Sequence, residues 1–338
     1  MKILIVKLTS LGDVLHALPV VWDIHAHYPD ATIDWVVEEA YVDLLAPLTK
    51  QKNIRGINRI IPSALRRFKK TFFQGKQFLK NWSEVKQFLK ALRQERYDLI
   101  LDLQGLIKSA LICALAKRTA NGQIVGAANR TQYSGYETQA QWFYTEKIQL
   151  PQTLHAVNRS RFLTQAALGI PQSERLKNPP QFYPAEFVAT LTETLWPKPY
   201  VLCFHATSRD NKRWPDDDWI AVGKALAAKG FRVILPWGNS AEKKISAQLA
   251  AEIPDALVPP AFSMTQAFGL IHCARLVVGV DTGLIHLAAA LNQRVVEIYC
   301  HSHRENAEGY WSDKIKNLGN LGEVPTVAAV LAAIDAVL

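Results

Sequence analysis

Cysteine is scarce in this chain. The four residues, Cys113, Cys203, Cys273 and Cys300, lie far apart and form no CxxC pair. Each sits in or near an apolar stretch, which points to buried, reduced thiols in a cytoplasmic protein rather than a disulfide framework. Long apolar runs are missing too. None reaches the ~18–20 residues that cross a bilayer, so the sequence predicts a soluble chain that can still touch a membrane surface. The opening MKILIVKL is too short in its apolar part, and interrupted by Lys7, to act as a signal peptide. There is no GxGxxG fingerprint and no GxxxxGK[ST] loop, which argues against a Rossmann dehydrogenase and a P-loop ATPase. No DxD-type pair stands where a metal would bridge a diphosphate. "CHSH" at 300–303 and "HAH" at 25–27 lack third and fourth ligands, so no metal is expected.

What is present is a 338-residue chain, long enough for two cores, with 49% hydrophobic and 20% charged residues. Its net charge of +9 is concentrated. Between Arg59 and Arg93 there are ten Lys/Arg and one acid, Glu84, so that stretch alone carries the charge of the whole chain. "RRFKK" (66–70) crowds four cations into five residues, which repel one another unless an anion is near. Nucleic acid, anionic lipid or a phosphorylated substrate would supply one. A nucleic-acid binder is disfavoured, because no RNA-binding signature or aromatic-interleaved β-platform is visible and the second half would be left unexplained.

Short β-branched runs alternate with helical patterns. Strands are predicted at 2–7, 32–38, 57–61, 98–103 and 123–126, with helices near 14–28, 83–96, 107–117 and 154–168. The proline-rich, polar stretch 169–184 reads as a linker. The plan then repeats. Strands are predicted near 200–205, 231–236, 256–258, 276–280 and 294–299, and helices near 215–229, 240–252, 264–273 and 282–291. This predicts α/β architecture: two doubly wound domains, 1–168 and 185–324, with functional residues at the carboxyl ends of parallel strands. A terminal helix, 325–338, could pack back on the first domain.

Four strand-end stretches carry candidate chemistry. In "KLTSLGDVLHALP" (7–19) a lone carboxylate, Asp13, stands among Lys7, Thr9 and Ser10. Asp13 can cap the helix or take a proton from a substrate, and a cap alone does not account for its neighbours. In "VVGVDTGLIHLAAAL" (277–291) a strand ends at Asp281 and a helix starts after Thr282 and Gly283. The free N–H groups there suit an anion, and His286 lies one turn further on. An Asp N-cap with a packing glycine fits the same residues. In "CFHATSRDNKRWP" (203–215), Thr207, Ser208 and Lys212 suit a diphosphate. In "LPWGNSAEKK" (235–244), Glu242 lies where an acid either accepts ribose hydroxyls or compensates a helix dipole.

Taken together, "ILIVKLTSLGDVLHALP", "DWVVEEAY", "RRFKK", "DLQGLIKSA", "HAVNRSR", "HATSRDNKRWP", "LPWG" and "VDTGLIHLAAAL" resemble the ADP-heptose:lipopolysaccharide heptosyltransferases, in order and over nearly the whole chain. The resemblance implies a GT-B fold, two Rossmann-like domains facing across a cleft. It also implies an inverting, metal-independent transfer of heptose from ADP-heptose to the Kdo sugar of Kdo-lipid A, with no cofactor. By position, Asp13 matches the catalytic base. Thr207, Ser208, Lys212, Glu242, Asp281, Thr282, Gly283 and His286 match donor-binding residues, and Lys212 also steadies the leaving phosphate. Phe262 stands where a methionine packs on adenine, and can stack there equally well. Lys7, Thr9, Ser10, Arg66, Arg67, Lys69 and Lys70 are the expected acceptor contacts. The implied enzyme is a cytoplasmic monomer, peripheral on the anionic inner membrane and without nucleic acid. Two departures stand out: "YCHSHREN" replaces a Tyr-Gly-Pro-Thr-Asp-Pro type turn, and the arginine expected near Tyr136 is out of register, with Arg130 close by.

Overall fold

The β-branched runs at the start of each half form the centre of two separate parallel sheets. The computed structural model describes residues 1–50, 55–67, 77–132, 134–191, 196, 198–207 and 209–338, with 77–80 as backbone only. Its two units are Met1–Pro184 and Ala185–Leu338.

In the first unit six strands, β1 (Lys2–Val6), β2 (Thr32–Glu38), β3 (Ile57–Ser63), β4 (Arg96–Asp102), β5 (Lys117–Ala127) and β6 (Glu146–Ile148), pair in the order β3-β2-β1-β4-β5-β6. Every pairing is parallel. Ile3, Leu4, Ile5 and Val6 of β1 are fully buried, as a strand covered on both faces requires. The order reverses between β1 and β4, where an open parallel sheet forms its crevice. The predicted helix 14–28 is two helices, Leu11–Ala17 and Val20–His27. They meet at Pro19, which has no N–H to carry the ladder through.

The stretch 169–184 belongs to this unit. Arg161, paired with Asp23, donates to the Asn178 carbonyl. The Trp22 indole donates to the Phe182 carbonyl and the Tyr183 hydroxyl to that of Leu44. Phe182 and Tyr183 are buried. The division therefore falls after Pro184.

The second unit has strands β7 (Tyr200–Phe204), β8 (Arg232–Ile234), β9 (Leu276–Val280), β10 (Val295–Tyr299) and β11 (Ile315–Gly319), ordered β11-β10-β9-β7-β8 and again all parallel. Its reversal lies between β7 and β9. The stretch 256–258 makes only one bridge, Ile234 with Leu257, because Pro259 and Pro260 end its supply of amides. The terminal helix Val327–Val337 packs in this unit. Val330, Ile334 and Val337 join the core formed by Val201, Trp214 and Val296.

Candidate active site

In the first unit the loop after β1 carries Asp13. Ser10 is the N-cap of helix Leu11–Ala17 and Asp13 its third residue. The Ser10 N–H and hydroxyl both donate to Asp13 Oδ2, at 2.9 and 2.8 Å. Asp13 is thus tied to its own helix start, while Oδ1 accepts no bond from a described residue. The loop is fixed from β4: the Leu8 and Thr9 amides both donate to Gln104 Oε1 at 3.1 Å. Lys7 is buried and donates to the Leu103 carbonyl at 3.0 Å. Burial pushes the Asp13 carboxyl up, but the Lys7 charge, the two Ser10 bonds and the Arg159 charge together hold it below its ordinary value.

Asp13 lines a cavity of about 140 Å³ formed at the carboxyl ends of β1, β4 and β5 and the start of helix Ala156–Ala167. Asp102, at the end of β4, also lines it. That carboxylate is committed: Gln104 N, Gly105 N, the Ser109 hydroxyl and the Tyr144 hydroxyl all donate to it. Gly105 takes φ +72° to turn its amide onto Asp102. Burial raises the Asp102 carboxyl in spite of these bonds.

The basic segment looks different from its sequence. Arg67 is clamped between Glu39 and Glu84, at 2.9 and 2.6 Å. Arg66 donates to the Tyr41 hydroxyl at 2.8 Å and lies over that ring, while its backbone amide donates to Glu38 Oε2 at 3.3 Å and its charge acts on that carboxyl. Lys69 and Lys70 lie outside the described residues.

In the second unit the ends of β7, β9 and β10 converge on Asp281. Lys212 Nζ is 2.5 Å from Asp281 Oδ2, and the Ser302 hydroxyl donates to the same oxygen at 2.6 Å. His286 Nε2 is 3.2 Å from Oδ1, and the Thr207 hydroxyl donates to the Asp281 carbonyl at 3.1 Å. Behind His286 stands Glu297, fully buried in β10, with Oε1 3.8 Å from Nδ1. Glu297 Oε2 accepts the Tyr299 hydroxyl and the Gly309 amide. Burial opposes charge on both central groups. The His286 bond and the Lys212 charge nevertheless hold Asp281 well below the carboxylate range. Asp281 and Glu297 likewise overcome burial and raise the His286 imidazole to about 9. The result is a Lys–Asp–His–Glu chain at the end of a parallel sheet, with an ionised Asp281 against a protonated His286. Thr282 is the N-cap of the adjoining helix, which starts at Gly283.

Glu242 lies in the first turn of helix Ser240–Glu252, which follows β8. It accepts the Gly238 amide and the Asn239 side-chain amide, both at 2.6 Å, and a carboxylate so bound retains lone pairs for a hydroxyl. Phe262 is half-buried just before helix Met264–Cys273. Ser208 lies outside the described residues. The structure brings Asp281, Lys212, His286 and Thr207 together, joined by Ser302 and Glu297, which sequence reasoning did not single out, and it places Arg159 beside Asp13. Ser302 sits in the departing "YCHSHREN" turn, and Arg159 in the quoted "HAVNRSR", which was the one available signal for it.

Two doubly wound parallel units, with cations and hydroxyls gathered at the strand ends of the second, define a GT-B type glycosyltransferase. The sequence model of glycosyltransferase family 9 (heptosyltransferase) matches residues 85–331, and the chain belongs to that family. It is 36% identical over 301 residues to lipopolysaccharide heptosyltransferase 1 of Escherichia coli strain K12, covering 88% of each chain. Among solved structures it is similar to the E. coli heptosyltransferase WaaC with ADP, with a TM-score of 0.85, 31% identity and 100% coverage of both chains. It is also similar to the same enzyme with ADP-2-deoxy-2-fluoro heptose, at a TM-score of 0.80, 31% identity and 99% coverage of both. The protein is an enzyme of lipopolysaccharide biosynthesis, a heptosyltransferase.

Proposed function

We propose that this enzyme is the first heptosyltransferase of the lipopolysaccharide core. It moves L-glycero-D-manno-heptose from ADP-heptose to the Kdo sugar of Kdo-lipid A, with inversion and without metal. The observation that carries the acceptor side is Asp13: an ionised carboxylate in a cavity, with one oxygen tied to Ser10 and the other free to accept. Asp13 Oδ1 takes the proton of the acceptor hydroxyl as that oxygen attacks the anomeric carbon. The bond from that carbon to the diphosphate breaks, and its electron pair leaves with the phosphate. A single displacement inverts the centre.

The leaving charge falls to Lys212 and the amides at Thr282 and Gly283. An ammonium has three donors, so Lys212 can keep Asp281 and still reach a phosphate oxygen. Protonated His286 offsets the Asp281 charge, which leaves the Lys212 charge for the donor. Phe262 and Glu242 are assigned to adenine and ribose, with Thr207 and Ser208 beside the diphosphate. The relatives solved with ADP and with an ADP-heptose analogue support that donor. Arg66, whose side chain forms a bond to the neutral Tyr41 hydroxyl rather than an ion pair among the described residues, supports contact with an anionic acceptor or membrane face. Among the described residues no helix is long and apolar enough to cross a membrane.

The test is transfer of radiolabelled heptose from ADP-heptose to Kdo-lipid A, against an acceptor already carrying heptose, with and without EDTA. Label is expected on the unheptosylated acceptor, unchanged by EDTA. Preference for the heptosylated acceptor, or a loss with EDTA that magnesium restores, overturns the reading.

A further inference from the structure

The cavity beside Asp13 contains more than the base. Two cations line it, Lys7 and Arg159. Lys7 is anchored by the Leu103 carbonyl. Arg159 rises from the first turn of helix Ala156–Ala167 and is half-buried. Thr131, on the loop after β5, lines the same cavity and is 2% exposed. Its backbone is used: the N–H donates to the Ser134 hydroxyl, which in turn donates to the Thr131 carbonyl. Its side-chain Oγ1 is buried with no hydrogen-bond partner among the described residues. A buried hydroxyl with no partner costs stability. Its neighbour Asn129 is satisfied by the Leu150 amide and carbonyl, so Thr131 is the polar group left over.

We propose that this cavity is a subsite for a carboxylate carried by the acceptor sugar, with Arg159 and Lys7 supplying the charge and the Thr131 hydroxyl a further bond. The inference rests on the acceptor reading above, and it adds to the basic segment a second anion contact, in the cavity that holds the base. A carboxylate only accepts hydrogen bonds, and a guanidinium with an ammonium and a hydroxyl only needs to donate. Asp102 does not compete for these cations to the same degree, since four protein donors already serve it. Asp13 does share them. Lys7 and Arg159 are the charges that hold its carboxyl low. A carboxylate that draws on both cations relieves that hold, so the group that binds the sugar also makes Asp13 a better base toward the same sugar's hydroxyl.

Two acceptors test the subsite: Kdo-lipid A and its carboxamide, a neutral isostere of the carboxylate. Wild type, Arg159→Gln and Thr131→Val are assayed with each, alongside calorimetric ADP binding and thermal unfolding. In wild type the acceptor KM is expected to rise about tenfold or more from carboxylate to carboxamide, the size of a lost charge-assisted bond. Arg159→Gln should raise KM similarly for the carboxylate and little further for the carboxamide. Thr131→Val removes an unpaired hydroxyl, so it should unfold no lower than wild type, yet raise the carboxylate KM severalfold. ADP binding should be unchanged in all three. Equal KM for both acceptors in wild type, or equal losses on both in Arg159→Gln, overturns the subsite alone. No transfer by wild type to either acceptor overturns the function reading and the subsite with it.

Discussion

Lys212 Nζ lies 2.5 Å from Asp281 Oδ2, on the oxygen that also accepts the Ser302 hydroxyl. A cation from the loop after β7 is therefore set in place by the end of β9 and the loop after β10, independently of any donor. A residue held this way costs little reorganisation when charge develops beside it.

Lys212→Ala should therefore affect turnover more than folding. Asp281 keeps His286 and Ser302, so the local structure persists, while transfer should fall by roughly 10²–10³, as for other lost oxyanion donors. Stopped assays at saturating ADP-heptose, with a thermal melt of the same preparation, check both halves. A tenfold or smaller loss in rate would remove Lys212 from the leaving-group role.

His286 links this cluster to pH. Its folded pKa, about 9, lies above the ordinary 6.5. The charged form is favoured by the fold, so its stabilisation is complete below about pH 6.5 and is lost as pH rises through about 9. Over that window the second unit should lose stability with a slope approaching ~1.4 kcal/mol per pH unit from this group. Denaturant unfolding at several pH values measures it. In His286→Gln the difference between neutral and pH 9.5 should shrink. An unchanged slope in that variant would place the titration elsewhere.

The basic segment divides once its partners are known. Arg67 is neutralised by Glu39 and Glu84, whereas Arg66 faces the neutral Tyr41 ring and hydroxyl. Arg66→Ala should raise the acceptor KM more than Arg67→Ala does, and more so at low salt. Because the Arg67 pairs are solvent-exposed, Arg67→Ala should change stability by no more than ~1 kcal/mol. Neither should move ADP affinity by calorimetry. The opposite ranking of the two KM values would reverse this division of the patch.

How much of this was legible in the sequence depends on whether the signal was local. The central strands showed themselves because a buried parallel strand is a continuous apolar run, as in KILIV and LVVGV. The edge strands β6 (EKI) and β11 (IKNLG) did not, since an edge strand is short and half solvated and its lysines and asparagine read as loop. Asp281, Thr282 and His286 were legible because one strand-turn-helix carries all three. Ser302 was not: a lone serine 21 residues away gains meaning only when β10 lies beside β9. Glu297 was hidden inside the run VVEIY, where a single acid looks like ordinary alternation and not like a buried partner of His286. For 169–184, proline and polar content suggested a linker. Its attachment depends on Arg161, Trp22 and Leu44, which are distant in sequence.

Asp13 offers the sharpest test, because capping and catalysis make opposite forecasts for the same substitution. Asp13→Asn keeps the side-chain size. Its amide oxygen can still accept from the Ser10 N–H and hydroxyl, the two bonds that tie the residue to its helix. If tying the helix were its whole role, the variant would fold and transfer heptose almost as wild type. As the base it must carry a charge and receive a proton, and an amide does neither. The variant should then melt within a few degrees of wild type, bind ADP normally, and lose transfer by at least ~10²-fold. The pH profile gives a second readout. Lys7, the Ser10 bonds and Arg159 hold the carboxyl below its ordinary value, so wild type should keep its rate to lower pH than a free carboxylate would allow. Lys7→Gln removes the strongest of these influences and should move the acid limb upward, while Asp13→Asn should remove that limb from the residual rate. A fully active Asp13→Asn enzyme, or an acid limb that ignores Lys7→Gln, would confine Asp13 to its cap.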